Sequence, residues 1–285
     1  MSLLDLPLEI VNVVAGYLPT KDVFSLCSTC LWLRGARSIF LEYRDIWVGG
    51  RDGEEKENMI KALTDLGLKR LHASLEHVID PSKLSGVYEL NLNLSNITDV
   101  SMLGGVHTLY LVCTHVVDVS TLGKVHTLNL SGTNVKDASA LGGVHTLNLS
   151  GTKVADVSML GGVHTLKLFS TGITDVSMLG GVYELDLGFT SVTDVSKLGS
   201  VHTLILDRTP VENVSALGHV HTLNLGWTKV EDVSMLGGVY DLDLRYTNVK
   251  DASALGSVHT LNLSNTNVTD VSKLGGVRTL FLHQI

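Results

Sequence analysis

A fixed period of nineteen residues runs through most of this chain and constrains its fold more than any other feature. The unit VHTLNLSGTNVKDASALGG fills residues 125–143, and valines that open such units recur nineteen residues apart from Val87 to Val277. Because each unit of a repeat array contacts only its neighbours, this period predicts a solenoid with one long surface. Such a surface favours recognition of a partner over catalysis.

The chemistry of each position, counted from the opening valine, predicts how one turn folds. Positions 1, 4, 6, 11, 14 and 17 are apolar in almost every unit. Positions 3 to 7 alternate between polar and apolar residues, which predicts a short strand with two leucines pointing inward. Asp at position 13 and Ser at position 15 predict a turn capped by side-chain-to-backbone hydrogen bonds. Gly at position 18, from Gly104 to Gly275, predicts a left-handed turn into the next strand.

These residues resemble a leucine-rich repeat. The family pattern L-x-x-L-x-L-x-x-N-x-L falls on Val125, Leu128, Leu130, Thr133 and Val135. The following D-x-S-x-L-G segment resembles internalin-type repeats. The resemblance implies a parallel inner sheet with short turns on the outer side, where nineteen residues leave no room for a helix. Thr replaces the family's ladder Asn, and because a hydroxyl offers fewer hydrogen-bonding groups than an amide, we expect a thinner inner ladder.

The array is predicted to cover residues 68–285, with a degenerate first repeat and a last strand that no repeat follows. This amounts to about eleven repeats plus that strand, or about twelve parallel strands. Leu280, Leu282 and Ile285 would then lie at an open sheet edge. Open edges invite pairing, so we expect either a homodimer contact through this C-terminal edge or fraying of the last turn.

Residues 1–67 lack the period and show helical spacing instead. Residues at F-box motif positions follow from the N-terminus: Leu6-Pro7, Glu9-Ile10, Val14, Tyr17-Leu18, Asp22-Val23, Leu26 and Cys30. Residues 1–48 therefore resemble an F-box, and residues 49–67 are predicted to form a linker and a capping helix. The resemblance implies that the segment docks on a Skp-family adaptor of a cullin–RING ubiquitin ligase, with the array as the substrate receptor. The adaptor-binding positions would be Leu6, Pro7, Ile10, Val14, Leu18, Val23 and Leu26. The alternative is a plain scaffold whose helical cap only shields the first repeat.

The predicted fold is therefore an α+β solenoid, a repeat array preceded by a small helical domain. The uniform VHTLNLSGT units also resemble proteins of giant DNA viruses of amoebae. A viral source would place the protein in the cytoplasm or nucleus of a host cell. The absence of a signal-peptide pattern at the N-terminus leads to the same expected location.

The candidate binding face consists of the positions that vary while the repeat framework stays constant. Positions 5, 7 and 8 are neutral Asn, Ser and Gly in the units that begin at Val125 and Val144. Between residues 163 and 246 they become aromatic and charged, a composition typical of interface hot spots. The alternative is drift in a surface that no partner contacts. The candidate residues for binding a target protein are Lys167, Phe169, Asp186, Phe189, Ile205, Asp207, Arg208, Trp227, Asp243, Arg245 and Tyr246.

Other clusters of chemically active residues are better explained as structure. Seven histidines at position 2 would stack about 5 Å apart across neighbouring turns, and surface packing is favoured over a metal ladder. Turn capping is favoured over a calcium ladder for the Asp column. Cys27 and Cys30 lack the second pair that a zinc site needs. The seven histidines are His107, His126, His145, His164, His202, His221 and His259.

The remaining function classes are excluded by composition and motif. The net charge of −8 provides no basic footprint for nucleic acid. No apolar run is long enough for a membrane span. No phosphate-binding loop or hydrolase motif occurs, so we expect no enzyme activity, no cofactor and no metal.

Overall fold

A computed structural model describes residues 46–48, 70–73, 84 and 86–283 of the chain, the first two ranges by their backbone alone. The described strands form one parallel sheet of thirteen strands in chain order. The strands are β1 (Ile46–Val48), β2 (Arg70–Ala73), β3 (Glu89–Asn91), β4 (Thr108–Tyr110), β5 (Thr127–Asn129), β6 (Thr146–Asn148), β7 (Thr165–Lys167), β8 (Glu184–Asp186), β9 (Thr203–Ile205), β10 (Thr222–Asn224), β11 (Asp241–Asp243), β12 (Thr260–Asn262) and β13 (Thr279–Phe281).

The parallel repeat sheet is confirmed, and it begins earlier than the period predicts. Strand β1 pairs with β2 through Ile46 and Leu71, although the sequence placed residues 46–48 at the end of the helical domain. The F-box-like positions, the predicted capping helix and the Cys27–Cys30 pair lie outside the described residues. None of the helices in the described part of the chain has the length and apolarity to cross a membrane.

The predicted apolar positions form one continuous core. From β3 onward, equivalent residues pair in register, as Leu128 does with Leu147. Val125 and Leu130 have no exposed surface, and the other apolar columns are buried in the same way along the array. Full burial stabilises by about 1.5–3 kcal/mol for each such side chain, so every turn depends on covering its neighbour.

Short turns occupy the outer side, as nineteen residues require. Within residues 86–283, four of them form 3-10 helices, at Ser139–Gly143, Ser158–Leu160, Ser215–Leu217 and Ser253–Leu255. The predicted Asp-x-Ser cap is confirmed, since the amide of Ser139 donates to Asp137 Oδ1 over 2.9 Å and the same bond recurs along the column. The bond from the Ser139 amide lowers the pKa of Asp137, and the Ser139 hydroxyl adds to the effect.

The glycine at position 18 has a different cause from the one predicted. Gly161, Gly218 and Gly256 have φ near −62°, in the right-handed region (values −62°, −62° and −63°). A Cβ on Gly161 would lie 2.3 Å from the carbonyl oxygen of Met178 in the next turn. Glycine is therefore required because adjacent turns approach too closely for any side chain, and the left-handed prediction for this position was wrong.

The left-handed turn lies at position 8, just after each strand. All ten described residues at this position have a positive φ, and only Gly132 and Gly151 among them are glycines. The turn is fixed by hydrogen bonds between repeats, since the amide of Arg208 donates to the carbonyl of Gly226 and that of Trp227 to the carbonyl of Arg245, each over 2.9 Å. The non-glycine residues are Leu94, Cys113, Ser170, Phe189, Arg208, Trp227, Tyr246 and Asn265.

The threonine column forms a ladder of bonds within turns. Thr133 is buried, and its hydroxyl donates to the carbonyl of Leu130 over 2.7 Å. Equivalent bonds of 2.6–2.8 Å run from Thr114 to Thr266. In the described repeats each threonine hydroxyl thus bonds to its own turn, and the connection between turns is left to the backbone and the apolar core.

The last described turn is the most exposed part of the core. Phe281 and Leu282 are each 50% exposed, and Val271 is 39% exposed where its equivalents in earlier turns are buried. Val277 and Leu280 are only partly buried against the core. The apolar edge that the sequence predicts is therefore present, while a homodimer through it stays a prediction.

Candidate partner-binding surface

Two ladders of side chains flank the outward face of the sheet. The first, which we call the ring ladder, contains the residues at position 2, just before each strand. The second, which we call the aromatic–arginine ladder, consists of Phe169, Phe189, Arg208, Trp227 and Tyr246, just after the strands. All eleven candidate binding residues lie on or after strands β7–β11, within five consecutive repeats.

The aromatic–arginine ladder is a continuous stack. The rings of Phe169 and Phe189 are 4.9 Å apart and tilted by 59°. The guanidinium of Arg208 lies between two rings, with Cζ 4.9 Å from the centroid of Phe189 and 4.6 Å from that of Trp227. Trp227 stacks on Tyr246 at 3.8 Å with an angle of 13°. The four aromatic residues are still 37–47% exposed, so the stack faces solvent along its length.

The backbone under this ladder is strained. Phe189, Arg208, Trp227 and Tyr246 have φ of 57–61°, a region that costs a bulky residue roughly 1–2 kcal/mol. Glycine would avoid this cost, as it does at position 8 of two earlier units. Four consecutive bulky residues at such a position argue against drift, because strain of this kind clusters at functional surfaces.

Glycines at position 7 let charged side chains lie flat beside the stack. A Cβ on Gly188 would come within 2.6 Å of Asp207 Oδ1, and one on Gly226 within 3.2 Å of Arg245 Cγ. Each charged residue therefore lies over the glycine of the preceding repeat. Burial raises the pKa of Asp207, and the nearby Asp186 carboxylate adds to the effect, which Arg245 opposes.

Position 5 has a structural role that the repeat pattern did not predict. Asp186 Oδ1 accepts a hydrogen bond from the Gly188 amide, and Asp243 Oδ1 accepts one from the Arg245 amide, both at 3.0 Å. Asp243 also forms an ion pair with Arg245, with Nε and Oδ2 3.3 Å apart. The candidate acids Asp186 and Asp243 thus shape the turn that carries the ladder. Asn at this position in other units caps in the same way.

Lys167 and Ile205 are the two candidate residues at position 5 that depart from this capping pattern. Lys167 ends β7 and is exposed, and Ile205 ends β9 and is half-buried. Both replace the Asn or Asp that caps the turn elsewhere, so they exchange a structural bond for a different outward chemistry. They add a cation and an apolar contact to the sheet face beside the ladder.

The ring ladder extends through ten repeats. Its members are Tyr88, His107, His126, His145, His164, Tyr183, His202, His221, Tyr240 and His259, with neighbouring centroids 4.4–4.8 Å apart and planes within 10–24° of parallel. The predicted spacing of the histidines is confirmed, and the tyrosines belong to the same stack.

One ring nitrogen of each histidine in the ring ladder has a partner in the sheet. Each histidine Nδ1 lies 3.2–3.3 Å from the hydroxyl of the threonine that follows it. Parallel rings direct their lone pairs side by side, so neighbours do not converge on one ion. No group of three metal-binding side chains occurs among the residues that the structure describes. Burial lowers the pKa of His126, and the charges of His107 and His145 lower it further.

The sequence identified the members of the candidate surface but missed how they are arranged. It placed them on the strands or just after them, and seven of the eleven lie in the turn after the strand; what the sequence did not predict is the positive φ of that turn. The seven are Phe169, Phe189, Asp207, Arg208, Trp227, Arg245 and Tyr246. The glycines and the asparagine at position 8 of other units were the available signal, because these residue types favour positive φ.

Solved structures share this architecture. An internalin, InlF from Listeria monocytogenes, superposes with a TM-score of 0.69 at 21% identity, over 87% of this chain and 84% of its own. The functional domain of InlJ from Listeria monocytogenes, which includes a cysteine ladder, gives a TM-score of 0.57 at 17% identity, over 78% and 59% of the two chains. TLR13 in its complex with ssRNA13 gives 0.56 at 17% identity, over 86% and 41%.

These likenesses establish the fold, a parallel β-solenoid of the leucine-rich repeat class. No protein-family model and no curated protein sequence matches the chain. At identities of 17–21% the shared fold carries no information on the partner.

Proposed function

We propose that this leucine-rich repeat protein is a non-catalytic binding scaffold and that the aromatic–arginine ladder contacts its target protein. The observation that carries the proposal is the continuous exposed stack from Phe169 to Tyr246, built on a backbone that costs free energy to maintain. Trp, Tyr and Arg dominate the energetics of protein interfaces. Because the stack holds each side chain in place, little conformational entropy is lost on binding.

The test is target capture with matched variants of the full chain. Purified protein is immobilised, and proteins captured from eukaryotic lysate are compared between wild type, Trp227→Ala and Met159→Ala. Met159 is 63% exposed on the outer side, away from both ladders, so it serves as a neutral control. Asn148→Ala is unsuitable as a control, because Asn148 Oδ1 caps the Ser150 amide at 2.9 Å.

A specific target should be retained by the control and lost with Trp227→Ala. Its affinity, measured afterwards with the purified target, should fall by about 2 kcal/mol or more. Unfolding of the two variants is measured in parallel, so that lost binding is not confused with lost structure. If Trp227→Ala captures the same proteins as the control with equal affinity, the ladder is not the binding surface.

We further propose that the scaffold is a substrate receptor of a ubiquitin ligase in the cytoplasm or nucleus. The only support is the resemblance of residues 1–48 to an F-box. Of these residues, the structure describes 46–48. A viral source, suggested by the uniform units, would make this a ligase of the host cell. The double variant Leu6→Ala, Pro7→Ala should lose a Skp-family adaptor and a cullin from the captured proteins while it keeps the target. Capture of the target with no adaptor in the wild type would favour the plain scaffold.

A further inference from the structure

The guanidinium of Arg208 is held between two rings with its edge free. Its two faces are covered by Phe189 and Trp227. Within the described residues, no hydrogen bond or ion pair engages its N–H groups, and the side chain is exposed. A planar guanidinium whose orientation is already fixed loses less entropy when it forms the paired N–H···O bonds that match a carboxylate.

The stacked rings turn their electropositive parts outward. An aromatic ring is negative on its faces and positive at its edge. In this ladder the faces of Trp227 are covered by Arg208 on one side and Tyr246 on the other, so its exposed surface consists of ring edge. The indole N–H and the phenol hydroxyl, which form no hydrogen bond within the described residues, are also donors. The outward chemistry of the stack is therefore that of a row of donors and positive edges.

The acids beside the stack have internal partners. Asp243 is paired with Arg245, and Asp186 accepts the Gly188 amide. The carboxylate of Asp207 bonds to its own backbone amide and lies over Gly188. It also interacts electrostatically with Arg245 and Arg208, although it forms no ion pair with Arg208. These acids limit how much negative charge the surface accepts, because the three of them lie within the same five repeats as the ladder. A single carboxylate at the edge of Arg208 suits this pattern better than a polyanion does.

We infer that the partner presents an Asp or Glu side chain to the edge of Arg208, with apolar side chains on either side that pack against Phe189 and Trp227. The partner is thus an exposed acidic–apolar protein segment. This inference rests on the proposed function of the ladder as the binding surface.

The experiment selects ligands from random sequences, so the target need not be identified first. Full-length protein is used to select from a display library of random peptides of about twelve residues, long enough in extended form to span the five repeats of the ladder. Selected peptides are synthesised, and their affinities are measured for wild type, Arg208→Lys, Trp227→Ala and Met159→Ala. Arg208→Lys retains the positive charge but lacks the planar fork, and thermal melting verifies that it folds. A thymidine oligonucleotide serves as the polyanion probe.

Peptides enriched in Asp or Glu at one position, with binding that falls roughly tenfold or more in Arg208→Lys, support the inference. Peptides without acidic enrichment that need Trp227 but bind Arg208→Lys normally overturn it and leave the proposed function standing. Tighter binding of the oligonucleotide than of any peptide, with the same dependence on Arg208, also overturns it. If no selected peptide depends on Trp227, both the inference and the proposed function fail.

Discussion

Substitution of a single position-18 glycine tests the close approach of adjacent turns. In Gly161→Ala, the new Cβ would lie 2.3 Å from the Met178 carbonyl oxygen, about 1 Å short of van der Waals contact. Neighbouring strands are about 4.8 Å apart, so relief requires the two turns to separate locally by about a fifth of that spacing. The nearby bonds from the amides of Tyr183 and Glu184 to the carbonyl of His164, each 3.0 Å, would stretch as a result.

The expected cost follows from these two effects. Overpacking of a close contact costs about 1–3 kcal/mol, and each weakened backbone bond adds up to about 1 kcal/mol. We therefore expect Gly161→Ala to destabilise the array by about 3 kcal/mol. In urea unfolding followed by circular dichroism, an m value of about 2 kcal/mol/M converts this into a midpoint shift of about 1.5 M. Equal m values for the wild type and the variant would show that the same cooperative unit unfolds in both.

The matched control is Gly275→Ala, in the same column. No atom lies within 4 Å of a Cβ built on Gly275, and its φ is not positive. Alanine there should be neutral or stabilise slightly through its lower chain entropy. If both variants lose the same stability, backbone freedom rather than contact explains the column. If Gly161→Ala is as stable as the wild type, adjacent turns do not approach as closely at this glycine as the structure shows.

Further substitutions and conditions test the left-handed turns, the threonine ladder, the ring ladder and the last strand. Gly151→Ala, whose Cβ would meet no atom closer than 3.8 Å, should lose about 1 kcal/mol to its φ of +67° alone, and Ser170→Gly should gain a similar amount; unchanged urea midpoints would contradict this. Thr133→Val removes the buried hydrogen bond to the Leu130 carbonyl and should lower the free energy of unfolding by about 1–2 kcal/mol. An unchanged free energy of unfolding would show that this bond does not stabilise the turn. Because burial lowers the folded pKa of His126, the unfolded chain binds more protons as pH falls, so melting temperature should drop as pH decreases through about 6.5 and stay level above it. Amides of β13 should exchange fastest in the array unless a second copy covers them, which sedimentation would show as a dimer.

The repeat architecture was predictable because its physics is local. Each turn needs the same inward leucines, as at Leu128 and Leu130, and the same Asp-x-Ser cap, as at Asp137. A period that places equivalent residues one strand apart also fixes their stacking distance, so the spacing of the histidine rings followed from the sequence without a structure. What one turn requires is repeated many times, and the repetition makes the pattern visible.

The reason for the position-18 glycine was not predictable from one unit. Glycine has two uses, a positive φ and a close approach of backbone, and the sequence of a single repeat does not distinguish them. The distinction depends on Met178 O of the next turn, which contacts Gly161 only because the turns stack at strand spacing. The positive φ lies at position 8, where eight of the ten described units carry a residue other than glycine, so the glycine signal is absent from most units.

Both ladders repeat from turn to turn, and their difference distinguishes the repeat framework from the proposed binding surface. The ring ladder runs through ten repeats with little variation. The residues that follow its members change with them, Thr after His and Glu or Asp after Tyr, so each pair is a self-contained packing unit. The aromatic–arginine ladder covers five repeats only, replaces glycines where the backbone favours them, and includes an arginine between rings. The turn at position 8 does not require large side chains, since the units of Gly132 and Gly151 form it with glycine and avoid the cost of a positive φ. What Trp227 and its neighbours add is an ordered outward surface, and this difference is the physical reason to look for the partner there.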